Sequence, residues 1–379
     1  MEQRIITPAE NYRGLDQWLR DTGAKRVFLV CDGSIAFLPD INKKLAALEA
    51  AGLTLVRFSG FQPNPLYENV TEGVRQLRAA RCDALMAVGG GSALDVAKCI
   101  KRFAPMEGDG AEGSFLKQAS VPDSLPFLAM PTTAGTGSEA TRFAVIYYEG
   151  KKQSVTDEGF IPGTVLMDPG ALKTLPLYQK KATMLDALCH AIESWWSVNS
   201  TPESREYSRQ AIRGIMTHME GYLDNTEAGR AGMLTAANLA GKAINITQTT
   251  AGHAMCYKLT SLFGLAHGHA AALCDRVLYP WMVRHTDRCT DPRGETVLRE
   301  ALEGIARALG CDTPTRGAEK LDALVRQLEL SVPAATEEQF AQLRQGVNPD
   351  RLRNHPIALD GETIDALYHE ILQQRTEEP

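Results

Sequence analysis

The chain has 379 residues, 44% hydrophobic and 23% charged, which excludes long disordered tracts and collagen-like repeats and suggests two domains, or three. Its net charge of −6 argues against a generic nucleic-acid-binding surface. The N-terminal Met1–Gly14 lacks a basic stretch followed by an apolar one, and no run of about 18 apolar residues occurs, so neither a leader nor a membrane span is expected.

Short β-branched runs alternate with helical patterns up to about residue 176. Arg26–Cys31 reads as a buried strand ending at Asp32-Gly33-Ser34, and Leu53–Phe58 as a second. Helical periodicity over Asn69–Ala80 leads to a third strand, Ala84–Val88, which runs into glycines. Pro126–Met130 is a fourth, and Arg142–Tyr148 and Gly163–Met167 read as further strands. This alternation predicts a doubly wound α/β domain with a parallel sheet. Beyond Leu175-Pro176 the period becomes helical: Met184–Val198, Pro202–Leu223, Glu227–Ile244, Ala251–Phe263, Gly268–Val283, Glu295–Leu309, Lys320–Gln327 and Thr363–Gln374. The expected domains are 1–176, α/β, and 177–379, all α. The eight cysteines are scattered without a CxxC pair, which fits reduced thiols in a cytoplasmic protein.

Two loops carry ligand chemistry. Val88–Lys98 (VGGGSALDVAK) follows a strand and opens a helix, where glycines admit close approach of a pyrophosphate to free N–H groups. Its spacing is not GxGxxG, and a tight strand-to-helix turn explains it equally well. Pro131–Glu139 (PTTAGTGSE) follows the next strand. Loops at adjacent strand ends form the crevice where open α/β sheets bind ligands. Asp32 could accept from an adenine-ribose 2′-hydroxyl and repel a 2′-phosphate, favouring NAD(H), or it could simply brace the turn before Gly33.

Asp186 and His190, at i and i+4, share a helix face; His253 and His267 lie on two further segments. One carboxylate and three imidazoles suit Fe(II), Zn(II) or a similar divalent metal. The other histidines, His218, His285, His355 and His369, read as ordinary satisfied polar residues.

These motifs, with Met167-Asp168-Pro169, Asp186–Glu193 (DALCHAIE), Phe61–Pro65 (FQPNP) and Asn354-His355-Pro356, resemble in order and spacing the iron-containing (group III) alcohol dehydrogenases over almost the whole chain. The resemblance implies a dinucleotide-binding α/β domain, a helical metal-binding domain and an active site in the cleft between them. It implies Asp186, His190, His253 and His267 as ligands of Fe2+, with Zn2+ or Mn2+ as alternatives. It implies Gly90, Gly91, Ser92, Asp95, Thr132, Thr133, Thr136 and Lys152 as contacts to NAD(H), or NADP(H), and a homodimer. Ala140–Tyr147, Ser194–Thr201, Gly241–Ile246 and Tyr257–Gly264 resemble the phosphonoacetaldehyde reductase branch.

That branch requires a pocket for a dianion. Arg142, Thr249, Thr250 and Lys258 are the candidates, arginine being suited to bidentate contact. Each has a plain alternative: Lys258 as a surface charge, Arg142 as a partner of Glu139. Many family members carry a histidine four residues after the third ligand; here Tyr257 stands there, to pass a proton through its hydroxyl or merely to pack. His267, Tyr257 and Lys258 are the expected catalytic residues. The expected reaction is hydride transfer from NAD(P)H to a metal-polarised aldehyde, phosphonoacetaldehyde giving 2-hydroxyethylphosphonate. The alternatives are a general dehydrogenase of uncharged alcohols or diols and a dehydroquinate-synthase-like cyclase. The Asp186/His190 pair argues against the cyclase.

Overall fold

The computed structural model describes residues 3–372. Its contacts divide the chain into two units, Met1–Leu175 and Pro176–Pro379.

In the first unit the apolar runs become strands β1 (Arg4–Ile6), β2 (Arg26–Cys31), β3 (Thr54–Phe58), β4 (Ala84–Gly89), β5 (Phe127–Pro131), β6 (Phe143–Tyr148), β7 (Lys151–Thr156) and β8 (Thr164–Leu166). Helices α1 (Ala9–Thr22), α2 (Pro39–Ala50), α3 (Tyr67–Ala80), α4 (Gly91–Phe103) and the single turn α5 (Ser114–Lys117) connect them. Six strands form a parallel sheet in the order β1-β8-β5-β4-β2-β3. Successive strand side chains point to opposite faces, and two cores follow. Phe28, Val30, Leu85 and Ala87 pack with Val74, Leu94, Ile100 and Phe103 of α3 and α4. Val27, Leu29, Met86 and Val88 pack with Leu15, Trp18, Ile41 and Leu45 of α1 and α2. Fully burying one such side chain stabilises by about 1.5–3 kcal/mol. Gly73 sets how closely α3 lies on α4, since a β-carbon there would come 2.3 Å from Ile100 Cδ1. The order in which strands are added to the sheet reverses between β2 and β4, so the ends of these strands flank the switch point where ligands bind in such sheets.

The expected strands and the helix near residue 69 are present with boundaries within two residues. Three elements escaped the pattern. Strand β7 buries only Val155 and is held by antiparallel pairing with β6. Helix α1 buries three residues among many charges. Strand β1 is three residues long.

The second unit consists of α6 (Leu177–Trp196), α7 (Pro202–Leu223), α8 (Glu227–Thr247), α9 (Ala251–Phe263), α10 (His267–Arg284), α11 (Glu295–Ala308), α12 (Pro314–Gln327), α13 (Glu337–Gln345), α14 (Pro349–Leu352) and α15 (Gly361–Leu372). Described residues here form no strand, only one isolated bridge between Cys289 and Ile357. Helix α6 is the hub: every residue from Met184 to Trp196 is buried, against α7, α8 and α10. It begins seven residues before the expected start, because buried Lys180 and Ala182 extend its inward face. Polar α13 buries only Phe340 and Leu343 and was not expected. Gln373 and Gln374, assigned to the last helix from sequence, lie outside the described residues. No described helix is long and apolar enough to cross a membrane.

Candidate active site

In the first unit β4 and β5 are in register, Gly89 beside Pro131, so the two loops emerge side by side. β-carbons placed on Gly90 and Gly91 would meet Thr133 Cγ2 at 3.4 Å and Thr136 Cγ2 at 3.0 Å. The missing side chains are what let the second loop close over the first. Asp32 braces this corner: Oδ1 accepts from Ser34 N (2.9 Å) and Oδ2 from Gly90 N (3.0 Å). One N–H of the glycine loop is thereby used, leaving the following groups of the α4 N-terminus for an anion. Each Asp32 oxygen keeps a second lone pair, so the turn-bracing role and a bond to a ribose hydroxyl are compatible. Ser34 Oγ donates to Thr132 Oγ1 at 3.2 Å.

Asp95 sits one turn into α4. It accepts from Ser138 Oγ (2.8 Å) and Val145 N (2.9 Å), tying the helix to the second loop and to β6. Burial raises its pKa, opposed by Lys98 and then by Lys152, which stands on β7 rather than in a solvated turn. Lys98, to which sequence reasoning gave no role, is fully buried. Its Nζ donates to Ser138 Oγ, Thr141 Oγ1 and Phe143 O at 2.8–3.1 Å, and burial pushes its pKa down to about 8. Its signal was its spacing, i+3 from Asp95.

In the second unit Asp186, His253 and His267 present ligand atoms within 4.8 Å of one another. Asp186 Oδ1 and His253 Nε2 are 3.5 Å apart, both buried and neither hydrogen-bonded. His190 stacks on His253 at 4.5 Å, with Nε2 4.0 Å from Asp186 Oδ1. Burial opposes charge on Asp186, yet His190, His253 and His267 outweigh it and hold the carboxyl well below its usual range. Burial likewise opposes charge on His253, but Glu193 and Asp186 push its pKa up to about 10. The pocket therefore favours positive charge, and its orphaned oxygen and nitrogen atoms fit a divalent metal of the Fe(II) or Zn(II) kind.

Glu193 lies behind His253. It accepts from His253 Nδ1, from His253 N (3.1 Å), and from Thr250 N (2.6 Å) and Oγ1 (2.7 Å). A carboxylate on Nδ1 fixes the tautomer and directs the Nε2 lone pair into the pocket. Sequence reasoning quoted Glu193 but gave it no role; its signal was position i+7 from Asp186, on the same face as i+4. Asp275, buried beside Glu193, has its pKa raised well above the ordinary value, by burial and then by Glu193. Two glycines bring the helices together. A β-carbon on Gly252 would lie 1.9 Å from Asp275 Oδ1, and one on Gly268 would lie 2.1 Å from Ala182 O and 2.5 Å from Asp186 Cβ.

The expected anion-binding residues are rearranged. Thr250 is fully buried, its hydroxyl donating to Glu193 and accepting from Trp196 Nε1 (2.8 Å). With its only hydrogen committed, it cannot donate to a phosphonate. Lys258 lies about 140° around α9 from His253, and its stem packs against Gly346, 2.9 Å from the β-carbon position there. It therefore does not share the helix face that carries His253. Arg142 belongs to the first unit and is paired with Glu158 at 2.6 Å. Thr249 is half-buried, and its carbonyl accepts from Asn354 Nδ2 (3.3 Å). Tyr257, at i+4 from His253, does reach the cluster: its ring stacks on His267 at 5.3 Å and 27°. Its hydroxyl accepts from Arg351 Nη1 at 2.8 Å. Burial raises its pKa against the opposing pull of Arg351. His355, expected to be satisfied, is instead 3% exposed with neither ring nitrogen hydrogen-bonded, and burial pushes its pKa down to about 4.

Comparison with known proteins agrees with this architecture. Residues 2–169 match the family described as iron-containing alcohol dehydrogenase. Residues 180–372 match its C-terminal domain family. The phosphonoacetaldehyde reductase of Streptomyces viridochromogenes is 33% identical over 318 residues, 80% of each chain. The 1,3-propanediol dehydrogenase of Citrobacter freundii is 34% identical over 269 residues, covering 69% of this chain and 68% of that one. The crystal structure of sulfoacetaldehyde reductase from Bifidobacterium kashiwanohense in complex with NAD+ superposes with a TM-score of 0.84 at 25% identity, covering 98% of this chain and 97% of the other. The chain belongs to the iron-containing alcohol dehydrogenase family.

Proposed function

We propose that the protein is a metal-dependent, NAD(P)H-linked aldehyde reductase whose substrate is a short aldehyde bearing an anionic group, phosphonoacetaldehyde, which it converts to 2-hydroxyethylphosphonate. The observation that carries the reading is the Asp186, His253 and His267 cluster, in which buried Asp186 Oδ1 and His253 Nε2 have no hydrogen-bond partner. The similarity to phosphonoacetaldehyde reductase supports the substrate. In the balanced reaction, aldehyde, NAD(P)H and one proton give alcohol and NAD(P)+.

Asp186, His190, His253 and His267 are the metal ligands in this reading. Gly90, Gly91, Ser92, Thr132, Thr133 and Thr136 hold the dinucleotide, with Asp32, Asp95 and Lys152 shaping their loops. When bound, the metal supplies Lewis acidity and the reduced nicotinamide supplies the hydride. The chain's own groups do the rest. Glu193 fixes the His253 ring. Tyr257 Oη accepts from Arg351, and a phenol hydroxyl is a donor as well as an acceptor, which suits it to give a proton to the oxygen being reduced.

The test follows absorbance of reduced nicotinamide with Fe(II)-loaded protein, offering phosphonoacetaldehyde and, in parallel, propionaldehyde. The expected result is a kcat/KM advantage for the phosphonate. Equal rates would leave a general dehydrogenase, in line with the propanediol dehydrogenase similarity, and would discard the phosphonate. No oxidation with either aldehyde, despite bound metal and dinucleotide, would overturn the reductase reading.

A further inference from the structure

An anionic substrate needs a cation near the metal cluster, and the sequence-derived candidate Lys258 lies off that face of α9. Another cation stands on it. Arg351, on α14, is half-buried and packed on α9. Its guanidinium carbon lies 4.6 Å from the centroid of the Tyr257 ring, and Nη1 donates to Tyr257 Oη at 2.8 Å. Tyr257 in turn stacks on His267. The result is a column of three flat groups: a ligand imidazole, a phenol and a guanidinium. Arg351 makes no ion pair with a carboxylate among the described residues, whereas its neighbour Arg353 pairs with Asp350 at 3.0 Å. One of its five N–H donors is used by Tyr257, and the fork that remains suits two oxygens of a tetrahedral anion.

We propose that Arg351 is the anion-binding residue of the aldehyde site. Its guanidinium, oriented by Tyr257, binds a phosphonate or sulfonate joined by a two-carbon link to the carbonyl that is reduced. The stack sets the reach: the substrate runs along its edge, carbonyl at the His267 level, anion at the Arg351 level, Tyr257 Oη between them. A phenol suits position 257, because its oxygen accepts the arginine N–H while its ring carries the cation–π contact. The inference rests on the reading of the Asp186, His253 and His267 cluster as the site of aldehyde reduction.

The experiment measures kcat and KM with phosphonoacetaldehyde, sulfoacetaldehyde and propionaldehyde for the wild type, Arg351→Met, Arg351→Lys, Tyr257→Phe and, as a control off the column, Arg353→Met. Arg351→Met is expected to lower the phosphonate-to-propionaldehyde kcat/KM ratio by about tenfold or more, chiefly through KM, the size of a lost charge-assisted hydrogen bond. Arg351→Lys recovers part of the ratio, Tyr257→Phe loses less than Arg351→Met, and Arg353→Met leaves it unchanged. The sulfonate arm shows whether one or both oxyanions are taken. Calorimetry with methylphosphonate on the same proteins reads the site independently of turnover: binding by the wild type that weakens to the same extent in Arg351→Met is expected. If no aldehyde is reduced by the wild type, the functional reading fails, and calorimetry alone decides this one. A ratio within about threefold of wild type in a folded Arg351→Met protein, or unchanged methylphosphonate binding, overturns the proposal.

Discussion

Asp32 and Asp95, beside the loops of the first unit, are answered by the protein itself: both oxygens of each accept hydrogen bonds from the neighbouring backbone or from Ser138. In the second unit Asp186 Oδ1 and His253 Nε2 are buried and left unbonded. One pocket is assembled before any ligand arrives and offers only the surplus of a helix N-terminus. The other holds its ligand atoms against one another at a cost that a cation would relieve. A metal should therefore stabilise the second unit by relieving that cost as well as by binding, whereas a dinucleotide stabilises the first by its binding alone.

Three experiments press on that contrast. The largest effect belongs to the metal pocket. His267→Ala should abolish stoichiometric metal binding, measured by elemental analysis, and lower kcat/KM by at least about a thousandfold, the several kcal/mol that a Lewis acid supplies. The raised thermal midpoint conferred by Fe(II) should vanish with it. Glu193→Gln should do less, weakening metal affinity by about 10–100-fold in competition with a chelator, because the ligand survives but loses its orienting carboxylate. Unchanged affinity would mean that His253 needs no such support.

In the preassembled pocket a smaller disturbance should be read as affinity rather than as loss of the site. A β-carbon on Gly89 would sit 2.6 Å from Asp32 Oδ2 and 2.5 Å from Ala93 Cβ. Gly89→Ala should therefore push Asp32 off Gly90 N and raise KM for NADH about tenfold with metal content unchanged. A fall in metal content with unaltered KM would reverse the comparison.

A further effect, on pH dependence, concerns His355. Its folded-state pKa of about 4 lies below the ordinary 6.5, so the unfolded chain takes up a proton first as pH falls. The stability involved is fully present above pH 6.5 and is lost between 6.5 and 4, up to about 3 kcal/mol. In His355→Phe the thermal midpoint should fall less steeply with acidification across that window. Parallel curves for the two proteins would show that His355 is hydrated.

Much of the fold was legible because burial leaves periodic marks. The sheet strands of the first unit are apolar runs flanked by glycine or proline, and the boundaries of α7 and α9 follow from their capping and apolar spacing. Asp186 and His190 could be paired by helical spacing alone. Relating His253 and His267 to them needed the family resemblance, because nothing local links three helices. What stayed hidden depends on distant partners. Thr250 looks available until Glu193, 57 residues away, is seen to hold its hydroxyl. Arg351 lies 94 residues from Tyr257 in a four-residue helix with no apolar period to place it. Strand β7 is made by its neighbour rather than by its own residues. Lys258 stands away from His253 for a geometric reason: a five-residue separation carries a side chain most of the way to the opposite face.

Gly268, beside His267, puts the backbone of α10 directly against that of α6 at Ala182 O and Asp186 N, whereas Gly252, beside His253, makes room for the carboxylates of Asp275 and Glu193. The spacing of α6 and α10 at the pocket is thus a matter of main-chain thickness, which rotamer changes cannot alter, while α9 meets both across carboxylate side chains. Between α6 and α10 such a gauge leaves little room to adjust to the radius of an ion. Among divalent ions of similar radius it leaves the choice to the affinity of imidazole and carboxylate and to whichever ion the surroundings supply.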